Sequence, residues 1–169
     1  MAFYIQRFQS PIGLLTLCAD EKALYGLYFG TFVPAEAQEI LTPLLAQAVQ
    51  QLDEYFQRKR RAFTLPLAPQ GTAFQKRVWD ALCTIAYGNT CTYAQLAAAI
   101  GSPRAFRAVG QANHFNPLPI LIPCHRVVRT GGALGGYAGG LDRKSFLLRL
   151  ESGEPGFPEL KEGMQRICP

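Results

Sequence analysis

The chain has 169 residues, 49% of them hydrophobic and 17% charged, with a formal net charge of +5. That length allows one ordinary core or two small packed lobes. No apolar run approaches the roughly 18–20 residues of a membrane span, and Met1-Ala2-Phe3-Tyr4 does not open a basic segment followed by an apolar stretch. Neither a membrane anchor nor a secretory signal is therefore expected, and the default compartment is the cytoplasm.

Residues 5–8, 13–18 and 24–29 read as short β-strands, with Asp20-Glu21-Lys22 as a turn between the second and third. Pro34 through Gln57 is helical in composition. It breaks at Thr42-Pro43, where Thr42 can cap and Pro43 can take the first helical position. Arg58-Lys59-Arg60-Arg61 follows, favourably placed at the negative end of the helix dipole. Leu65-Pro66-Leu67-Ala68-Pro69-Gln70-Gly71 has linker composition. Thr72-Ala73-Phe74-Gln75 fits a capping box, and Phe74, Val78, Leu82 and Ile85 recur at helical spacing toward a stop at Gly88. Thr92-Tyr93-Ala94-Gln95 opens a second capped helix that ends near Gly101. Ser102-Pro103 opens a third, running to about Asn113, with Ser102 as its cap. Two short helices joined by a tight Gly-Ser-Pro turn suit a helix-turn-helix or an ordinary helical hairpin. Asn116-Pro117-Leu118-Pro119 is expected to be extended, and Ile120-Leu121-Ile122-Pro123 is an apolar approach to Cys124. Glycine-rich loops follow, then a final helix capped by Asp142 and ending at Ser152 before Gly153.

Charge is uneven. Residues 1–68 carry six basic and six acidic side chains, residues 69–152 nine and three, and residues 153–169 two and three. The positive excess lies in the central segment, which suits a polyanion or is a solvated basic face. Five cysteines (Cys18, Cys83, Cys91, Cys124, Cys168) and two histidines (His114, His125) show no CxxC and no zinc spacing. No disulfide framework, metal or cofactor is expected. Cys18, Cys83 and Cys91 lack a basic neighbour and read as inert; Cys168 reads as an exposed terminal thiol.

Pro123-Cys124-His125-Arg126 is different. Cysteine reacts as thiolate, and an adjacent histidine and arginine are expected to lower a free pKa of roughly 8.5. On a strand, Cys124 and His125 would point to opposite faces, so their coupling needs a turn or a bridging water, which Pro123 makes feasible.

The wider run Asn116-Pro117-Leu118-Pro119-Ile120-Leu121-Ile122-Pro123-Cys124-His125-Arg126-Val127-Val128 resembles the active-site signature of the O6-alkylguanine-DNA alkyltransferases, also called methylated-DNA–protein-cysteine methyltransferases. The resemblance extends through Tyr93-Ala94-Gln95-Leu96-Ala97 and Arg107-Ala108-Val109-Gly110. Downstream it covers Gly136-Tyr137-Ala138-Gly139-Gly140-Leu141, Lys144 and Leu147-Leu148-Arg149-Leu150-Glu151. It spans roughly residues 70–152; in residues 1–68 only Pro11-Ile12-Gly13 and the strand pattern suggest it.

The resemblance implies an α/β N-terminal lobe over 1–68, ribonuclease H-like, with an antiparallel sheet plus helix. It implies a mostly helical, winged-helix-like domain over 69–153 containing a helix-turn-helix, followed by a tail over 154–169. The implied activity is direct-reversal DNA repair, in which Cys124 irreversibly takes the alkyl group of O6-alkylguanine, with O4-alkylthymine as a further candidate. His125 takes the cysteine proton, Glu151 orients His125, Asn116 braces the network, and Tyr93 protonates the departing base. Arg107 enters the duplex in place of the extruded base, with Ser102, Ala108 and Gly110 on the DNA side. Val127, Tyr137, Ala138 and Gly139, with Tyr93, form the base pocket. The implied partner is double-stranded DNA carrying O6-alkylguanine, bound by a monomer. Members that carry zinc in the first domain do so through cysteines and histidines; residues 1–68 hold one cysteine and no histidine, so metal is expected to be absent. Ala138 stands where some members have serine, and Phe106 where some have alanine. A cysteine hydrolase and a non-catalytic damage binder are the competing classes.

Overall fold

The computed structural model describes residues 2–154; the tail, including Cys168, lies outside them. The chain divides between Pro69 and Gln70 into two compact units.

The first unit is built on a meander of β1 (Tyr4–Ser10), β2 (Gly13–Ala19) and β3 (Leu24–Phe29), all antiparallel. The β1–β2 turn is tight because Ser10 Oγ donates to the Gly13 carbonyl (2.6 Å) and accepts from the Ile12 amide (3.2 Å). Gly13 sits at φ 105°, where a Cβ would be strained. Asp20 closes the β2–β3 turn by accepting from the Lys22 and Ala23 amides. Helix α1 (Pro43–Phe56) packs on β1 and β2. It is capped by Thr42 with Pro43 in the first turn, as its sequence requires. Leu45, Ala48, Leu52 and Tyr55 recur on one face of the helix, and all are fully buried with Ile5, Leu15 and Leu17 of the sheet.

The helix expected over 34–57 is confined to its second half. Residues before Thr42 instead contribute β4 (Gln38–Glu39), which pairs in parallel with β1 at the sheet edge. The Gln38 amide donates to the Phe3 carbonyl, and Arg7 pairs with Glu39 at 2.6 Å. A free sheet edge supplies backbone partners that outweigh a weak helical preference.

The second unit contains α2 (Ala73–Leu82), β5 (Cys91–Thr92), α3 (Tyr93–Ala99), α4 (Phe106–His114), β6 (Val127–Val128) and α5 (Leu141–Glu151). Both capping boxes form, Thr72 with Gln75 and Thr92 with Gln95. Helices α2, α3 and α4 pack together around Trp79, whose indole donates to the Ala112 carbonyl at 2.8 Å. The parallel pairing of Cys91 with Val127 and Thr92 with Val128 brings the start of α3 beside the segment that follows Cys124.

Three helix boundaries differ from expectation. Helix α2 ends at Leu82, and turns carry the chain to Gly88. Ser102 does not cap α4, which starts at Phe106 after Ala105 with no side-chain cap. Ser102 instead closes α3: its amide donates to Ala97 and that of Gly101 to Ala98, with Gly101 at φ 76°. That is the Schellman arrangement. Its carbonyl then accepts from Ala105, a turn for which Pro103 is as well suited as for a helix start. Asp142 lies within the first turn of α5, and Gly140 is the cap. Among the described residues no helix is long and apolar enough to cross a membrane.

Trp79→Phe should lower unfolding stability by about 1–3 kcal/mol, because it leaves the Ala112 carbonyl buried without its donor. Urea denaturation of the two proteins measures this, and equal midpoints would contradict it.

Candidate active site

Cys124, His125 and Arg126 form a single 3-10 turn after Pro123. The segment is a turn rather than a strand, so the alternation that would send consecutive side chains to opposite faces does not apply. Cys124 is 2% exposed and His125 0%. His125 Nε2 lies 2.7 Å from Glu151 Oε1. Arg126 grips the same carboxylate twice, Nε to Oε2 and Nη2 to Oε1, both at 2.9 Å. Its remaining arm donates to the Ile85 carbonyl at 2.6 Å, and the guanidinium lies over the Tyr87 ring. Arg149 and Lys144, the basic residues nearest Glu151 on α5, also bond elsewhere: Arg149 to Glu154, Lys144 to backbone.

This geometry dictates protonation. Burial works to raise the Glu151 carboxyl, but the His125 hydrogen bond and the Arg126 contacts outweigh it and hold the group well below the ordinary carboxylate range. Burial pushes His125 the other way, toward neutrality, against the pull of Glu151. A neutral imidazole beside an ionised carboxylate must carry its proton on Nε2. Nδ1 is then a bare lone pair. It is buried, with no hydrogen-bond partner among the described residues.

The thiol does not follow expectation. Burial raises Cys124 to about 11, only partly offset by a hydrogen bond with Asn116 and by the charge of Lys144. Arg126 is turned to Glu151, so its charge does not activate the sulfur. Cys18, Cys83 and Cys91 are raised by burial as well. What distinguishes Cys124 is its neighbours.

Backbone carbonyls around the turn are tied down by side chains. Asn116 Nδ2 donates to Ile122 (2.8 Å) while Oδ1 accepts from the Leu118 amide (3.0 Å). The run from Asn116 to Pro119 is therefore wound and not extended throughout, and it holds the β-branched Ile120 at φ 73°, a conformation costing about 1–3 kcal/mol. Asn113 Nδ2 donates to the Cys124 carbonyl at 3.3 Å. The Lys144 ammonium is fully buried and donates to Val127 (2.6 Å), Gly135 (3.3 Å) and Gly136 (3.5 Å). Burial lowers its pKa to about 8. Asn113 and Lys144 carry no role in the sequence reading. The signal for Asn113 is its spacing of four from buried Val109 on α4; for Lys144 nothing local separates it from a surface lysine.

A cleft of about 450 Å³ is lined by Tyr93 of α3, by Phe106, Arg107, Gly110 and His114 of α4, and by Arg129, Gly135 and Gly136. A Cβ at Gly135 would collide with the Tyr93 hydroxyl, so glycine is what allows the loop to close on that ring. Burial and the nearby sulfur raise the Tyr93 phenol, while Arg129 pulls it down; it keeps its proton at neutral pH. Tyr93, Arg107 and Gly110 thus share the cleft. Val127, Tyr137, Ala138 and Gly139 lie outside its lining; Val127, Tyr137 and Gly139 are buried and Ala138 is exposed. Ala108 is exposed on α4 and Ser102 half-buried in the preceding turn. Among the described residues no three His, Cys, Asp or Glu side chains gather as a metal site.

Residues 73–153 match the family model described as the 6-O-methylguanine DNA methyltransferase DNA binding domain, and residues 3–69 match its ribonuclease-like domain. A methylated-DNA–protein-cysteine methyltransferase of Methanosarcina barkeri is 50% identical, over 88% of this chain and 96% of that protein. The constitutive enzyme of that name from Bacillus subtilis is 46% identical, over 88% and 94%. Among solved structures, Mycobacterium tuberculosis OGT in complex with DNA superposes with a TM-score of 0.82 at 42% identity, covering 90% of this chain and 93% of that one.

Glu151→Gln should destabilise the protein at pH 7 by about 3 kcal/mol, since it leaves Arg126 buried without its counter-charge. In the parent protein Glu151 binds its proton more weakly folded than unfolded. Its contribution is therefore present above the unfolded pKa of about 4.3 and is lost as pH falls through the folded value. Denaturant titrations from pH 3 to 7 should show the gap between parent and variant closing toward acid; a constant gap would contradict the assignment.

Proposed function

The chain belongs to the 6-O-methylguanine DNA methyltransferase family, whose reaction is direct-reversal repair by transfer of an alkyl group to a protein cysteine, and from that premise we propose that Cys124 is the acceptor and double-stranded DNA carrying O6-alkylguanine the substrate. The observation that carries this reading is the bare Nδ1 of His125, held by Glu151 and Arg126 one residue from a buried thiol.

The O6-alkyl carbon is unreachable inside a stacked duplex, so the base rotates out into the protein. The thiol proton passes through a bridging water to Nδ1 of His125, and Glu151 stabilises the imidazolium through Nε2. Sulfur attacks the alkyl carbon in line, the carbon–O6 bond breaks, and its electrons leave with guanine, which takes a proton from the Tyr93 hydroxyl. The product is a thioether. It has no carbonyl for water to attack and no good leaving group, so each molecule reacts once.

Helices α3 and α4, with the turn of residues 101–105, act as a helix-turn-helix in a winged-helix-like domain. The first unit is the ribonuclease H-like domain. Arg107, exposed on α4 at the cleft, fills the gap left by the extruded base, and Tyr93, Val127, Tyr137, Ala138 and Gly139 receive that base.

Incubation with methylated duplex should add one methyl group to the tryptic peptide containing Cys124, in a stoichiometric burst. Cys124→Ala should abolish transfer and retain DNA binding. Sustained turnover without a mass change would favour a hydrolase instead.

Because the thiol rests near 11, His125 matters most at neutral pH. His125→Ala should slow transfer by about 10²–10⁴-fold at pH 7, with the deficit shrinking as pH approaches 10 and hydroxide takes over the deprotonation. A deficit independent of pH would count against the general-base role.

A further inference from the structure

We propose that Arg129 is a phosphate clamp for the extruded nucleotide. The proposal rests on the reading that Cys124 takes its alkyl group from a base rotated out of DNA.

Arg129 lines the cleft together with Arg107 and His114. Its root is held by a tight turn: its amide donates to the Ala133 carbonyl, and the Gly132 amide donates back to Arg129, both at 2.9 Å. Gly131 and Gly132 make that turn possible at φ 90° and 84°. Its guanidinium makes no hydrogen bond or ion pair with any described residue. The cations close to it in sequence are engaged: Arg126 by Glu151 and Ile85, Arg143 by Gly139, Lys144 by three carbonyls. Arg129 is exposed, and its charge pulls down both the Tyr93 phenol and the Lys144 ammonium.

No carboxylate lines the cleft, while Arg107, His114 and Arg129 all present N–H donors or positive charge there. Such a mouth selects an anion. Free guanine is neutral, so the base does not need this group. An extruded nucleotide, however, carries its own phosphates past the mouth, and a planar guanidinium fork matches two phosphate oxygens at once. The clamp would engage the strand that bears the lesion and would be indifferent to the second strand. Arg107, which replaces a base in the stack, depends on that second strand. The two arginines are thereby separable.

The test compares transfer rates to Cys124 from three donors: free O6-benzylguanine, a single-stranded oligonucleotide with one O6-methylguanine, and the corresponding duplex. For Arg129→Gln the ratio of DNA rate to free-base rate should fall about tenfold on both the single strand and the duplex, and the salt dependence of binding should flatten by about one phosphate. Arg129→Lys should recover part of the loss, because it restores charge without the fork. For Arg107→Ala the ratio should fall on the duplex alone. Unchanged ratios for Arg129→Gln, or a loss confined to the duplex, would overturn the clamp. An equal loss on free base would place Arg129 in the chemistry instead and would overturn it too. Failure of the parent protein to gain a methyl group on Cys124 would overturn the alkyl-transfer reading itself.

Discussion

One buried carboxylate organises the segments around Cys124. Glu151, near the end of α5, receives His125 on one oxygen and two arms of Arg126 on both. Burying an acid, an imidazole and a guanidinium is costly unless each finds its complement. Here they are mutual complements, and the last guanidinium arm finds the Ile85 carbonyl. The arrangement constrains three segments at once: the end of α5, the 3-10 turn at Cys124, and the loop after α2. It also settles the imidazole tautomer, and with it the nitrogen left to accept a proton. The atoms that stabilise this unit are the same ones to which the proposed chemistry assigns the proton transfer.

The nucleophile is kept in a low-polarity setting, which raises its pKa to about 11. For an enzyme that must regenerate, a resting thiol would be a handicap. For a protein that reacts once, it protects a single-use sulfur from adventitious oxidants and electrophiles, since those attack thiolate. Lys144 adds to this balance. It is a buried cation with only carbonyl partners, and its field favours the thiolate while its hydrogen bonds join β6 to the glycine loop lining the cleft.

Side-chain amides perform the same service for the backbone that Glu151 performs for the charges. Asn116 satisfies a buried carbonyl and a buried amide in a segment where prolines and a left-handed isoleucine prevent regular pairing. Asn113 reaches the Cys124 carbonyl from α4, the helix that also presents Arg107. A direct hydrogen bond thus links α4 to the turn that carries Cys124.

Much of this was legible in the chain because it rests on local chemistry. The two capping boxes, the Thr42-Pro43 helix start and the Asp20-Glu21-Lys22 turn each act within a few residues, and all appear where the sequence places them. The run around Pro123-Cys124-His125-Arg126, with Tyr93, Arg107 and Glu151 at their spacings, identified the family. What local signals could not decide was the outcome of competition. Residues 34–42 suit a helix until a sheet edge offers hydrogen bonds, and Ser102 suits a helix start until the preceding helix uses it as a stop. The charge states were the furthest from reach. Cys124 beside His125 and Arg126 reads as an activated thiol, yet the arginine is turned away to a carboxylate 25 residues on, and burial raises the sulfur. Nothing in the sequence around Lys144 separates it from a surface lysine, yet it donates to three carbonyls from two other segments. Sequence determines which groups are present and how the chain turns locally; which charge meets which, and how far water is excluded from each, depends on distances between remote segments, and those exist only once the chain has folded.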